Sequence, residues 1–129
     1  MNYLIDSDWV IDYLKGTATA DQLLESLVRP GIAISLITFG EIYEGIYFGR
    51  DSARHEQIFQ AFLEVAETLP LTLHTLKLFA QIRGELRAKG QIIGDLDILI
   101  AATAIEHNLT LVTQNRRHFD RISNLKIYG

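Results

Sequence analysis

The stretch that most constrains this fold is residues 94–105, where Asp95 and Asp97 precede an almost uniformly apolar run. The run has the length and composition of a helix, and Asp95 stands where an N-cap is expected. A helix that is apolar on all sides belongs in the centre of a domain. Carboxylates at the entrance of a buried helix are costly unless they are hydrogen-bonded, paired with cations or bound to metal. The other segments must therefore supply partners that offset this cost.

The length and composition restrict the class of protein. A chain of 129 residues predicts one domain, residues 1–129, with room for a full hydrophobic core. The absence of cysteine excludes disulfides, thiolate metal sites and cysteine nucleophiles. No apolar run reaches the length of a membrane span and no signal-peptide pattern opens the chain, so we expect a cytoplasmic protein with no membrane partner. The net charge of −4 argues against indiscriminate polyanion binding, but bound cations would neutralise an acidic site, so nucleic acid is not excluded.

Short apolar runs alternate with helix-length segments along the chain. Strands are predicted at residues 3–5, 32–34, 68–72, 109–113 and 125–128. The third of these is expected at a sheet edge because it contains Pro70. Helices are predicted at residues 9–14, 19–28, 35–48, 52–65, 73–88 and 94–107, with a basic turn or short helix at 115–122. This alternation predicts an α/β domain with a mostly parallel central sheet.

Acidic side chains stand at the ends of the predicted strands and at the starts of the predicted helices. Asp6 follows the first strand, Glu41 lies near the start of the third helix, and Asp95 and Asp97 begin the central one. Asn115 follows the fourth strand. Because functional groups in open parallel sheets collect beyond the carboxyl ends of the strands, we predict that four carboxylates and this amide face one cleft.

Each acid also has a purely structural interpretation. Asp6 could cap the first helix. Thr38 and Glu41 have the T-x-x-E spacing of a capping box. Asp95 is the strongest cap candidate of all, whereas Asp97, inside the first turn with apolar neighbours, is the hardest to explain by capping, although helix N-termini favour acids in any case.

Four acids in one cleft, with no Lys or Arg in their own segments, would repel one another. Divalent cations would remove that conflict. An all-oxygen ligand set favours Mg²⁺, with Mn²⁺ as a plausible substitute, over Zn²⁺. Four carboxylates balance the charge of two divalent ions about 3.5–4 Å apart, an arrangement that clamps the attacking and leaving oxygens of a phosphodiester, whereas one ion would still lower the pKa of a water. The sequence leaves the number of metals open.

Four segments in this order and at this spacing resemble PIN-domain ribonucleases, specifically the VapC-type toxins of bacterial toxin–antitoxin pairs. They read YLIDSD at residues 3–8, SLITFGEIYEG at 35–45, GDLDILIAATA at 94–104 and LVTQNRRHF at 111–119, and the resemblance covers essentially the whole chain. It implies a PIN-like three-layer α/β/α sandwich and Mg²⁺-dependent endonucleolytic cleavage of RNA, in which a metal-activated water attacks the phosphodiester. It also implies a cognate antitoxin, a homodimer and a larger toxin–antitoxin complex.

The same resemblance implies roles for individual residues. Asp6, Glu41 and Asp97 fall on the core metal-binding acids of the family, and Asp95 falls on an acid that often accompanies them. A further family position is commonly Asp but is Asn115 here. An amide can ligate a metal or hold a metal-bound water but adds no charge, so the occupancy of a second metal stays open.

Other residues are expected to support the reaction or to bind partners. Thr113 would supply a supporting hydroxyl. Arg116, Arg117 and Arg121 cluster just past the proposed site, where they could meet RNA phosphates, although a solvated turn explains them equally well. Residues 47–48 could form part of an exposed groove, which the resemblance makes the docking site of the antitoxin.

Two alternatives come from other classes of protein. A receiver-like signalling domain would bind Mg²⁺ through clustered acids and accept a phosphoryl group on one Asp. It needs a Lys at a strand end beside those acids, whereas Lys15, Lys77 and Lys89 fall in predicted helices and Lys126 lies inside the last predicted strand. A non-catalytic binding module, whose acids merely cap helices, is the third reading. The sequence does not identify the RNA or the antitoxin.

Overall fold

A computed structural model describes all 129 residues. Strands and helices alternate along the chain. The elements are β1 (Tyr3–Ile5), α1 (Ser7–Leu14), α2 (Ala18–Val28), β2 (Ile32–Ser35), α3 (Leu36–Phe48), α4 (Ser52–Val65), β3 (Ala66–Leu69), α5 (Leu73–Ala88), α6 (Asp95–Glu106), β4 (Thr110–Val112) and α7 (Arg116–Phe119). None of the helices combines the length and the apolar character needed to cross a bilayer.

The four strands form one parallel sheet in the order β3-β2-β1-β4. The predicted edge position of the third strand is confirmed, and β3 ends at Leu69, directly before Pro70, which has no N–H to give to a ladder. The strand itself lies earlier than predicted. Thr72, which was assigned to it, caps α5 instead, because its hydroxyl accepts the N–H of Thr75 (3.2 Å) while the Thr75 hydroxyl accepts the N–H of Thr72 (2.9 Å).

The predicted strand at residues 125–128 is wrong. The segment does run beside β4, but it forms an isolated bridge between Leu111 and Ile127 rather than a strand. Two backbone hydrogen bonds make that bridge, from Leu111 N–H to the carbonyl of Lys126 and from Tyr128 N–H to the carbonyl of Leu111, both 2.8 Å. The sheet therefore has β4 as its second edge.

Successive side chains of a strand point to opposite faces of the sheet, and here both faces are covered by helices. Leu4 and Ala33 pack with α5 and α6 in one core. Ile5 and Ile34 pack with α1 to α4 in a second core on the other face. The predicted three-layer α/β/α sandwich is confirmed.

The helix α6 is the central element that its composition predicts. Six consecutive or near-consecutive side chains from Ile98 to Ala104 are buried, and α6 packs along α5 and also against α3 and β4. Its apolar body fixes the position of its first turn, which carries Asp95 and Asp97. The N-termini of α1, α3 and α6 thus all follow or adjoin the carboxyl ends of the strands.

Candidate metal centre at the carboxyl ends of the strands

Asp6 is the buried carboxylate at the centre of this site. It directly follows β1, and its backbone N–H donates to the carbonyl of Val112 at the end of β4 (2.9 Å). One carboxylate oxygen accepts the N–H of Ser7 (2.8 Å), so Asp6 does cap α1, and the other accepts the hydroxyl of Thr113 (2.7 Å). The side chain is thereby held in one orientation by two different segments.

Burial raises the pKa of Asp6 from 3.8 to about 7, and only 6% of the residue is exposed. The hydrogen bonds from Thr113 and Ser7 lower this pKa, while the negative charges of Asp8 and Asp97 raise it further. A carboxyl with a pKa near neutrality, surrounded by other acids, is stabilised in its charged form by a nearby cation. Asp6 therefore has the electrostatics of a cation ligand.

Asp8 is an acid of this site that is not among the four predicted site carboxylates. Its carboxylate accepts the backbone N–H of Gln114 (3.0 Å) and lies within 3.4 Å of the Thr113 hydroxyl. Gln114 also donates through its side-chain amide to Asp12, one turn further along α1 (2.8 Å). Burial raises the pKa of Asp8, against these hydrogen bonds. Asp8 and Asp12 thus fix the loop after β4 to α1.

Glu41 reaches the same region through Ser7. The Ser7 hydroxyl donates to Glu41 (2.5 Å) and lies 3.2 Å from the hydroxyl of Thr38. The capping-box interpretation of Thr38 and Glu41 is wrong, because Ser35 is the N-cap of α3 and its side chain accepts the N–H of Thr38 (3.0 Å). Glu41 consequently lies in the second turn of α3, where its side chain is free of capping duty.

The two aspartates of α6 point to different partners. Asp97 lies 3.5 Å from Nδ1 of His118 and is close enough to Asp6 to raise its pKa. Asp95 instead forms an ion pair with Nε of Arg83 on α5 (2.9 Å), with the two side chains 58% and 45% exposed. The expectation that Asp95 caps the helix is wrong, since Gly94 is the N-cap and no side chain accepts a capping hydrogen bond there.

The four acids have no Lys or Arg in their own segments, but this pairing gives Asp95 a cationic partner from another helix. Arg83 lies 12 residues before Asp95 in the sequence and reaches it because α5 packs along α6. The charge of Asp95 is therefore offset by an arginine, whereas no Lys or Arg forms an ion pair with Asp6, Asp8 or Asp97.

Asn115 connects the loop after β4 to Asp97. Its backbone N–H donates to the Thr113 hydroxyl (3.0 Å), and its side-chain amide lies 2.9 Å from Nδ1 of His118. The same ring nitrogen of His118, Nδ1, thus faces both the Asn115 amide and the Asp97 carboxylate. The Thr113 hydroxyl, the predicted supporting group, accepts the backbone N–H of Asn115 and donates to Asp6.

The arginines predicted to meet RNA have different surroundings. Arg116 donates to the carbonyl of Tyr128 (2.9 Å), and Arg121 donates to the carbonyl of Ile92 (3.3 Å). Arg117 is exposed and has no hydrogen-bond partner in the protein. Two of the three guanidinium groups are therefore anchored to backbone carbonyls.

The donor set fits a hard divalent cation. Asp6, Asp8, Glu41 and Asp97 offer oxygen ligands, as Mg²⁺ and Mn²⁺ prefer. Asp6 and Asp8 share the Thr113 hydroxyl, but no three His, Asp or Glu side chains lie close enough together to hold an ion on their own. A cation here would therefore be held by few protein ligands at a time, which is usual for Mg²⁺, an ion that keeps several of its waters.

Comparison with known proteins defines the class to which this arrangement belongs. The model of the PIN domain matches residues 3–125. Ribonuclease VapC1 of Methanocaldococcus jannaschii is 36% identical over 127 residues, which are 97% of this chain and 85% of that protein. The chain therefore belongs to the PIN domain family.

Within that family its relatives include VapC ribonucleases, and the solved structures that it resembles include VapBC toxin–antitoxin complexes. The structure of VapBC2 from Rickettsia felis bound to a promoter DNA fragment matches with a TM-score of 0.91 and 32% identity, covering 99% of this chain and 98% of that one. DNA-bound VapBC from Salmonella typhimurium matches with a TM-score of 0.90 and 27% identity, covering 99% and 97%.

Proposed function

We propose that this protein is a Mg²⁺-dependent endoribonuclease that acts as the toxin of a toxin–antitoxin pair and hydrolyses RNA phosphodiester bonds. The observation that carries the proposal is the buried Asp6 carboxyl, whose pKa is raised to about 7 and which neighbours Asp8 and Asp97 without a compensating Lys or Arg. Its VapC relatives, which are named ribonucleases, support the same reaction class.

The residues of the chain divide the work as follows. Asp6 and Asp97 would hold the cation, and Glu41, whose carboxylate accepts a hydrogen bond from Ser7, would contribute from α3. When bound, Mg²⁺ supplies Lewis-acid polarisation of a phosphate oxygen and lowers the pKa of a water. Thr113 fixes the orientation of Asp6 by donating to it.

The roles of Asn115 and Asp95 stay predictions, and both are subordinate to those of Asp6 and Asp97. Asn115 holds His118 beside Asp97 and adds no charge, so it favours one tightly held cation over two. Asp95 can contribute to a second cation if its ion pair with Arg83 opens. Arg117 is the freest of the three downstream arginines to meet a phosphate, because Arg116 and Arg121 already donate to carbonyls.

The receiver-like alternative loses support because no lysine contacts these acids. The side chain of Lys126 donates instead to Asn108, which lies just before the start of β4. The non-catalytic alternative explains Asp6, which does cap a helix, but capping does not account for Glu41 or Asp97.

The test compares RNA cleavage by the wild-type chain with that of Asp6→Asn and Asp97→Asn. We expect cleavage in Mg²⁺, loss of cleavage in EDTA, recovery with Mn²⁺, and a fall of at least about a hundredfold in each variant. Asp21→Asn, an exposed acid on α2, is the matched control and should cleave like wild type. Chelator-resistant cleavage, or full activity of both variants, would refute the proposal.

A cognate antitoxin is the proposed protein partner. Tyr47 and Phe48 are 68% and 88% exposed at the end of α3. They adjoin a cavity of about 280 Å³ between α1 and α3, whose rim carries Lys15 and Arg50. An exposed aromatic pair beside a basic-rimmed apolar groove suits an amphipathic segment with acidic residues. We also propose a homodimer, which light scattering on the purified chain tests directly.

A further inference from the structure

A second cavity lies between α5, the connection to α6 and α6 itself, and of the predicted site carboxylates it includes Asp95 alone. Its volume is about 190 Å³. The polar part of its wall consists of Arg83, Arg87, Gln91 and Asp95, and Ile92 and Ile93 contribute to the apolar part. Ile92 is 85% exposed, so it presents an apolar surface at the mouth of the cavity.

The two arginines of this cavity have unused hydrogen-bond donors. Arg83 and Arg87 are four residues apart on α5, so they share one face of the helix. Arg83 contacts Asp95 through Nε alone, and its terminal nitrogens have no partner in the protein. The Arg87 guanidinium makes no hydrogen bond or ion pair. Two neighbouring guanidinium groups with unused N–H donors on one wall match the bidentate geometry of phosphate oxygens.

The ion pair between Arg83 and Asp95 gives the cavity a defined wall. It joins α5 to the first turn of α6, and Arg121 anchors the connection by donating to the carbonyl of Ile92 (3.3 Å). The cavity is therefore bounded by two helices whose relative position is set by the packing of α5 along α6.

The first turn of α6 lies between this cavity and the carboxylate site. Asp95 faces Arg83, while Asp97, two residues later, faces His118 and Asp6. A polynucleotide that presents one phosphate to Asp6 and Asp97 must carry its neighbouring nucleotides past the residues flanking them. The arginine-lined cavity is one of those flanks.

We propose that this cavity is a subsite for the RNA strand, which binds a nucleotide next to the scissile phosphate. Arg87 and the terminal nitrogens of Arg83 bind the phosphate, and the base packs on the apolar surface offered by Ile92. A positively charged groove that follows the sugar–phosphate backbone is a usual means of binding single-stranded RNA without reading its sequence. The inference rests on the proposed ribonuclease function, which it extends to the path of the substrate.

The test uses Arg87→Ala and Arg87→Lys, with Arg54→Ala on α4 as the matched control, because Arg54 is also exposed and does not line the cavity. We expect Arg87→Ala to raise KM about tenfold with a much smaller change in kcat, since a charge-assisted contact to substrate is lost away from the reacting atoms. Arg87→Lys should recover part of the loss, because a point charge replaces a bidentate donor. The slope of log affinity against log salt should fall by about 0.7 in Arg87→Ala.

Binding is measured separately with a fluorescein-labelled single-stranded RNA of mixed sequence, in an Asp6→Asn background that leaves the RNA intact. Wild-type cleavage together with equal Kd and KM for Arg87→Ala and Arg54→Ala would overturn the subsite and leave the ribonuclease function standing. An absence of cleavage by wild type would instead overturn the function itself. An Arg87→Ala variant that binds RNA normally but loses affinity for an acidic antitoxin peptide would also overturn the subsite, by assigning the cavity to a protein partner.

Discussion

Replacing Asp6 with Asn should stabilise the metal-free protein, and the gain should grow with pH. The pKa of Asp6 is about 7 in the folded chain, against 3.8 for an ordinary Asp, so the folded state binds this proton more tightly than the unfolded state does. Between these two values the unfolded chain carries fewer protons at this group, and the free energy of unfolding therefore falls as pH rises. Above the folded pKa the penalty is complete.

The difference of about three pKa units corresponds to roughly 4 kcal/mol at full ionisation. At about pH 5 part of this penalty, roughly 1.5 kcal/mol, is already present, so the advantage of Asp6→Asn over wild type should grow by roughly 3 kcal/mol between about pH 5 and about pH 8. Asn preserves the shape of the side chain and the acceptor for Ser7 N–H, and the Thr113 hydroxyl can turn to accept from the new amide.

The assay is urea unfolding of both proteins in EDTA, followed by the fluorescence of Trp9, the one tryptophan of the chain. Taking the difference between the two proteins at each pH cancels the titrating groups that do not interact with Asp6, such as Glu106, whose pKa is lowered. Saturating Mg²⁺ should narrow the gap at about pH 8, since a ligand at a hundred times its Kd stabilises the wild type by about 2.7 kcal/mol. A difference in unfolding free energy that is independent of pH would refute the electrostatic account of Asp6.

The remaining predictions concern residues that support this site. Thr113→Val removes a hydrogen bond that lowers the pKa of Asp6. The acidic limb of the pH profile of kcat/KM should therefore move to higher pH, which is measured from RNA cleavage rates over a series of pH values. Asp8→Ala should be about 1 kcal/mol less stable than Asp8→Asn in urea unfolding, because both remove the charge whose pKa burial raises but only Asn keeps an acceptor for the Gln114 N–H. Ile100→Ala opens the core around α6 and should cost about 2–5 kcal/mol, with metal affinity falling in parallel as the first turn of α6 loses its anchor.

Much of the fold follows from local patterns in the sequence. The apolar run after Asp97 predicts a buried central helix, and Lys89-Gly90 correctly marks the end of α5, where Gly90 has a φ of +69°. The displaced strand near Pro70 shows the limit of such patterns. Thr72 suits a strand by composition, but its reciprocal hydrogen bonds with Thr75 begin a helix instead.

The site is less predictable because its contacts join distant segments. Asp8 looks like a helix cap locally, and its role depends on Gln114, which is 106 residues away. Asp95 looks like the best cap of all, yet Gly94 occupies that position and Arg83 takes the charge. Sequence spacing identifies which acids stand at element ends, but which of them lack a cation depends on how α5 packs against α6.

These corrections leave a consistent electrostatic argument for the site. The ion pair with Arg83 compensates the charge of Asp95. Asp8 takes its place among the acids without a cationic partner, because Asp8 and Asp97 both raise the pKa of Asp6. The folded chain thus concentrates negative charge on one side of the first turn of α6 and free guanidinium donors on the other. A cation on the acidic side and a phosphate on the basic side would each stabilise the folded chain. Under the proposed function, an RNA strand lying across α6 would supply that phosphate while placing its scissile phosphodiester on the acidic side.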